Sequence, residues 1–156
     1  MNWLRSLFTK KPAATPHTGA TISRSEIAQN LGNAILADKC YARVNSAWLS
    51  GFYDDFRNVL FREGVTKWDG RFDCDDFARL YVGLANLRFH TSTFHEMTPA
   101  ESLAVGEFWF CCWDTGATHA VVVAFTERGR IFIEPQSGKE IDLKTSEVMT
   151  AHMVKF

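Results

Sequence analysis

With 156 residues, 46% of them hydrophobic and 22% charged, the chain has the size and balance of one domain with a real core. A net charge of −1 offers no electrostatic footprint for nucleic acid, and no apolar run approaches the ~20 residues that span a bilayer. The four cysteines, Cys40, Cys74, Cys111 and Cys112, lack the CxxC spacing of a structural zinc site, so reduced thiols in a cytoplasmic protein are expected.

Residues 1–20 read as a separate arm. They hold a short amphipathic turn and then a Pro12-to-Ala20 stretch of linker composition, without the apolar core of a signal peptide. The domain proper, 21–156, opens with a short helix capped by Ser23 or Ser25 and closed by Gly32. Tyr41 to Val44 reads as a short extended piece. From Ala47 to Glu63, residues Trp48, Phe52, Phe56, Leu60 and Phe61 form one stripe, which predicts a helix ending at Gly64. A second helix is predicted from Cys74 to about Arg88, with Phe77, Leu80, Tyr81 and Leu84 at helical spacing. Residues 89–105 read as irregular, apart from a turn or short helix at 97–101.

Beyond Gly106 the period changes to two. Strands are expected at 107–113, 118–125, 130–134 and 140–143, with a turn at 127–129, a stop at Pro135, a short helix from Thr145 and an extended end at 151–156. Helices followed by an antiparallel sheet make an α+β domain.

The candidate chemistry centres on Cys74. A thiol in the first turn of a helix is easier to deprotonate, whereas Asp73, Asp75 and Asp76 beside it push the other way unless a cation offsets them. Among five histidines, His119 stands out: Gly116-Ala117-Thr118 lets backbone approach closely, and the valine-rich strand behind it is a rigid mount. A strand turning near Arg128 at ~3.3 Å per residue brings Glu134 and Gln136 back within reach of His119, as an orienting partner requires. Trp68, just ahead of Cys74, either offers its indole N–H to an oxyanion, together with the Cys74 backbone N–H, or is a plain core or rim aromatic. Cys111 and Cys112, adjacent on a strand, face opposite sides and read as buried small residues.

The order of Asp73-Cys74-Asp75-Asp76-Phe77-Ala78, His119-Ala120-Val121 and Glu134-Pro135-Gln136 resembles the papain-like and transglutaminase-like cysteine peptidases. Over roughly residues 45–145 it is more similar still to the C-terminal protease domain of the Marasmius oreades agglutinin-type fungal chimerolectins and related phage and prophage proteins. The resemblance implies a papain-like fold with Cys74 as nucleophile, His119 as base and Glu134 as orienter. It also implies Ca2+, with Mn2+ able to substitute, held by Asp75, Asp76, Glu134 and Gln136. The glycan-binding β-trefoil of the chimerolectins has no counterpart in 156 residues, so lectin activity is not implied.

The expectation that follows is a calcium-dependent cysteine hydrolase acting on a peptide or protein. The alternative is a non-enzymatic binding or inhibitor protein on the same fold, phage-encoded and directed at a host system. Acyl or glutamine transfer by the same three residues is a third reading.

Overall fold

The computed structural model describes residues 14–32, 34–92 and 95–156. Nine strands and four helices alternate along them: β1 (His17–Ser23), α1 (Arg24–Leu31), β2 (Ala34–Ile35), β3 (Cys40–Val44), α2 (Ser46–Arg62), α3 (Cys74–Thr91), β4 (Ser102–Leu103), β5 (Val105–Cys111), β6 (Thr118–Thr126), β7 (Gly129–Glu134), β8 (Lys139–Ile141), α4 (Thr145–Met149) and β9 (Met153–Lys155).

The helices start where the sequence offers caps. Ser23 and Glu26 close a capping box on α1, and the Asn45 side chain accepts from the N–H groups of Ala47 and Trp48 at the head of α2. The chain leaves α1 at Gly32 and α2 at Gly64, both with positive φ.

The strands form one sheet in the order β1-β3-β6-β5-β9-β2, with β4 beside β3 and the β7–β8 hairpin attached through β7 to β6. β6 pairs antiparallel with β5 along its length and with β7 from Val122 to Thr126. The sheet is mixed rather than antiparallel, because β2–β9, β3–β4 and β3–β6 run parallel. β1 begins at His17, inside the segment expected to be an arm, and His17 is buried against Phe89. Residues 1–13, which hold the expected amphipathic turn, lie outside the described residues.

Alternation along the strands divides the core in two. On one face Ala120, Val122, Ala124 and Ile133 pack against α2 and α3. On the other, Phe108, Phe110, Val121, Val123 and Phe132 pack with Ile27, Leu31 and Val154. The helix-side core is built on aromatic contacts. Trp48 stacks on Phe52 at 4.7 Å, and Phe52 and Phe56 meet Tyr81 edge-on at 5.0 and 5.1 Å. Each such side chain, fully buried, contributes about 1.5–3 kcal/mol.

The β7–β8 turn is pinned to α2. Gly138 has φ +70°, and a Cβ there would lie 2.4 Å from the Tyr53 ring. The Tyr53 hydroxyl donates to the Gln136 carbonyl at 2.8 Å. The turn therefore needs glycine on both conformational and steric grounds.

Candidate functional site

Cys74 opens α3 behind the N-cap Asp73, so the predicted loop-to-helix delivery of the thiol is what the chain builds. Asp76 accepts from the Asp73 N–H at 3.4 Å, which ties the first turn back on itself. The acids are then compensated from within the helix. Arg79 reaches Asp75 at 3.0 Å and Asp76 at 3.3 Å, the i+4 and i+3 partners of one guanidinium. Asp73 and Asp75 also share a carboxyl contact. It raises the pKa of Asp73 and, with help from Arg79, lowers that of Asp75. Asp73 is thus the member that holds a proton first.

The Cys74 thiol is pushed up from its ordinary pKa. Burial is the main cause, and the Asp73 and Asp75 charges add to it, while the Ala120 backbone N–H works in the opposite direction. The helix start does not win: desolvation and two carboxylates outweigh the dipole. Near neutrality Cys74 is therefore a protonated, half-buried thiol, packed against the helix-side core.

His119 is engaged elsewhere. Its Nε2 lies 2.8 Å from Glu134 Oε2, and the same carboxylate accepts the Gln136 N–H at 3.2 Å through its other oxygen. Both side chains are about a quarter exposed, at 26% and 21%. The cross-strand partner of His119 is Phe110, whose ring meets the imidazole at 5.8 Å. Phe110 belongs to the core on the far side of the sheet from α3, whereas Ala120, the neighbour that faces Cys74, belongs to the helix side. The Cys74 thiol itself meets the backbone N–H of Ala120, the peptide next to His119. Among the described residues there is no hydrogen bond between Cys74 and His119.

The residues implied for calcium are not gathered around one point. Asp75 and Asp76 are turned to Arg79, and Glu134 is held by His119 and the Gln136 backbone. Among the described residues, the group close enough to share an ion is Asp73, Cys74 and Asp75, with ligand atoms within 4.8 Å of one another. That group leaves out Asp76, Glu134 and Gln136, and a thiol is a poor ligand for a hard cation. The residues present do not fit the implied Ca2+ or Mn2+ site. The guanidinium of Arg79 supplies the offsetting positive charge, a partner readable from its i+3 and i+4 spacing.

Trp68 is 56% exposed on the loop that precedes Cys74, a rim aromatic rather than a core one. Cys111 and Cys112 are half-buried free thiols, and Cys111 donates to the Gly116 carbonyl at 3.3 Å.

No family model and no curated protein matches the sequence. Two solved structures are similar in fold. One is a "PSL1a-E64 complex", with a TM-score of 0.61 and 21% identity over 87% of this chain and 50% of that one. The other is Polyporus squamosus lectin bound to the human-type influenza-binding epitope Neu5Aca2-6Galb1-4GlcNAc, with a TM-score of 0.61 and 20% identity over 87% of this chain and 49% of that one. The chain therefore spans about half the length of these structures. At that identity the likeness carries the fold, a mixed α/β one shared with a fungal lectin. The expected cysteine hydrolase and phage origin are corrected here: the similar structure that is named is Polyporus squamosus lectin, and what the likeness shows for this chain is the fold. In the site itself the thiol is raised by burial, the imidazole is paired with Glu134, and no hydrogen bond joins the two among the described residues. No described helix is long and apolar enough to cross a membrane.

Proposed function

We propose that the chain is a non-enzymatic binding protein whose ligand is a carbohydrate. The observation that carries this reading is that no hydrogen bond joins Cys74 to His119 among the described residues. The thiol is raised by burial and by its acidic neighbours, and the imidazole meets Glu134 through Nε2 without a hydrogen bond to the thiol among the described residues. A nucleophile needs a base within hydrogen-bond reach, and among the described residues no hydrogen bond joins the two. The ligand class follows from the fold shared with a lectin whose solved complex holds a sialylated trisaccharide. The proposal needs no trefoil, since it places recognition on the mixed sheet and its helices.

The test is calorimetric titration of the full chain with Neu5Aca2-6Galb1-4GlcNAc and with its component sugars, for the wild type and Cys74→Ser. Saturable binding, equal in both, is expected. Absence of binding by every sugar would overturn the reading. Binding lost in Cys74→Ser would return the thiol to the site.

A further inference from the structure

Three buried side-chain polar atoms have no hydrogen-bond partner among the described residues: Trp48 Nε1, Asp55 Oδ2 and Asp73 Oδ1. Asp73 belongs to the half-buried head of α3, whereas Asp55 puts a carboxylate into the core. Asp55 is 3% exposed and lies in α2 among the buried residues Trp48, Leu49, Phe52, Phe56 and Val59. At helical spacing that face calls for an apolar residue, and a carboxyl is almost never fully buried unless it is paired. Sequences that break such a rule inside a core tend to do so for function.

The ion-pair neighbour of Asp55 does not satisfy it. Arg88 of α3 brings Nη2 to 3.7 Å from Asp55 Oδ2, and both side chains are largely buried. That is near enough for charge attraction and too far for a hydrogen bond. An ionised carboxylate only accepts, so the buried Oδ2 is left without a donor. Taking a carboxylate out of water costs more than a loose ion pair returns. Burial accordingly pushes the Asp55 carboxyl above its ordinary pKa. Arg88 pulls against that rise, Asp54 adds to it and Arg62 subtracts from it. These are the charged groups that act on Asp55: Arg88 from α3, and Asp54 and Arg62 from its own helix.

We propose that Asp55 is a proton-operated latch between α2 and α3. Protonated, the carboxyl is neutral, and the two helices close on it without a buried, poorly matched charge. Ionised, it weakens the same contact. A carboxyl that binds its proton more tightly in the folded chain than in the unfolded one adds stability. That stability is complete below the unfolded value of about 3.9 and is lost as pH rises through the folded value. This one residue thus favours the folded chain at mildly acidic pH over neutral pH. The latch is independent of the carbohydrate reading and of Cys74, His119 and Glu134.

The experiment compares thermal melting of the full chain and of Asp55→Asn from about pH 4 to about pH 7.5, together with the 13C titration of the Asp55 carboxyl in the wild type. Asp55→Asn keeps the shape of the side chain and removes its charge. At pH 7 the variant should melt about 2–4 °C above the wild type, and the gap should close as pH falls towards about 4. At pH 7 the backbone amides around Phe56 in α2 and Ala85 in α3 should also exchange more slowly in the variant. The wild-type carboxyl should titrate above the ordinary value of about 3.9. A variant that melts below the wild type at pH 7 would overturn the latch, since the ionised pair with Arg88 would then stabilise the fold. A gap of one size at every pH would overturn it too, because ionisation would play no part, and so would unchanged exchange in both helices. If Asp55→Asn does not fold, the wild-type titration decides: a midpoint above about 3.9 supports the latch, and one at or below it overturns the latch.

Discussion

His119 Nε2 and Glu134 Oε2 lie 2.8 Å apart, and this contact joins the first residues of β6 to the last residue of β7. The ladder between these strands reaches from Thr126 only to Val122, so the side-chain pair closes a part of the hairpin that backbone bonds leave open. Glu134→Ala is expected to cost about 1 kcal/mol in urea denaturation, one hydrogen bond's net worth. It should leave the alkylation rate of Cys74 unchanged, because the imidazole does not touch the thiol. A matching change in Cys74 reactivity would show that the pair acts on it.

Gly138→Ala tests how the hairpin is fixed to α2. The new methyl would meet the Tyr53 ring at 2.4 Å on a backbone with φ +70°. Overpacking and left-handed strain together should destabilise by about 2 kcal/mol. Tyr53→Ala in the same background removes the obstacle and should recover part of that loss; a double mutant with purely additive losses would argue against the contact.

Glu147 anchors α4 to the loop ahead of β6. Its carboxylate accepts the Trp113 N–H at 3.0 Å and the Lys144 N–H at 2.9 Å, and these two bonds hold its pKa below the ordinary range. A carboxyl with a depressed folded pKa stabilises above its unfolded value of about 4.3 and loses that contribution as pH falls through the folded one. Glu147→Gln should therefore melt below the wild type at pH 7, with the gap closing below about pH 4. A gap that persists at low pH would mean that packing, not the ionised carboxylate, carries the effect.

The expected arm is divided by the structure at His17. Deleting residues 1–20 removes more than half of β1, including the His17–Phe89 contact and the bond from the Asn45 N–H to the Pro16 carbonyl. A melting temperature several degrees lower is expected for that deletion. An unchanged value would restore the linker reading for 17–20.

Most of the helices and the long strands were legible because their signals are local. The Trp48–Phe52–Phe56 stripe, the Ser23 cap, and the two-residue period through β5 and β6 each need only neighbours in sequence. β1, β2 and β4 were not, because they are short or polar and exist through pairing with distant partners. β1 even carries an irregular register between His17 and Thr21. The candidate site was half legible. Cys74 at a helix head and the His119–Glu134 contact both follow from element order and hairpin length. What element order cannot tell is whether the His119 ring and the Cys74 thiol are hydrogen-bonded, since that depends on where the strand lies under α3. Tyr81 was read as a core aromatic and is one. A cavity beside it arises only when the β7–β8 turn is folded against α2.

The most direct test of the central claim is the pH–rate profile for alkylation of Cys74 by iodoacetamide, mapped by mass spectrometry in the wild type and in His119→Ala. A thiol raised by burial and by Asp73 and Asp75 should react slowly at neutral pH. Its rate should rise only above the ordinary thiol pKa of about 8.5, identically in the two proteins. A reactive plateau at acidic or neutral pH that disappears in His119→Ala would reveal a thiolate–imidazolium pair, and would contradict the reading of this chain as a binding protein without catalysis.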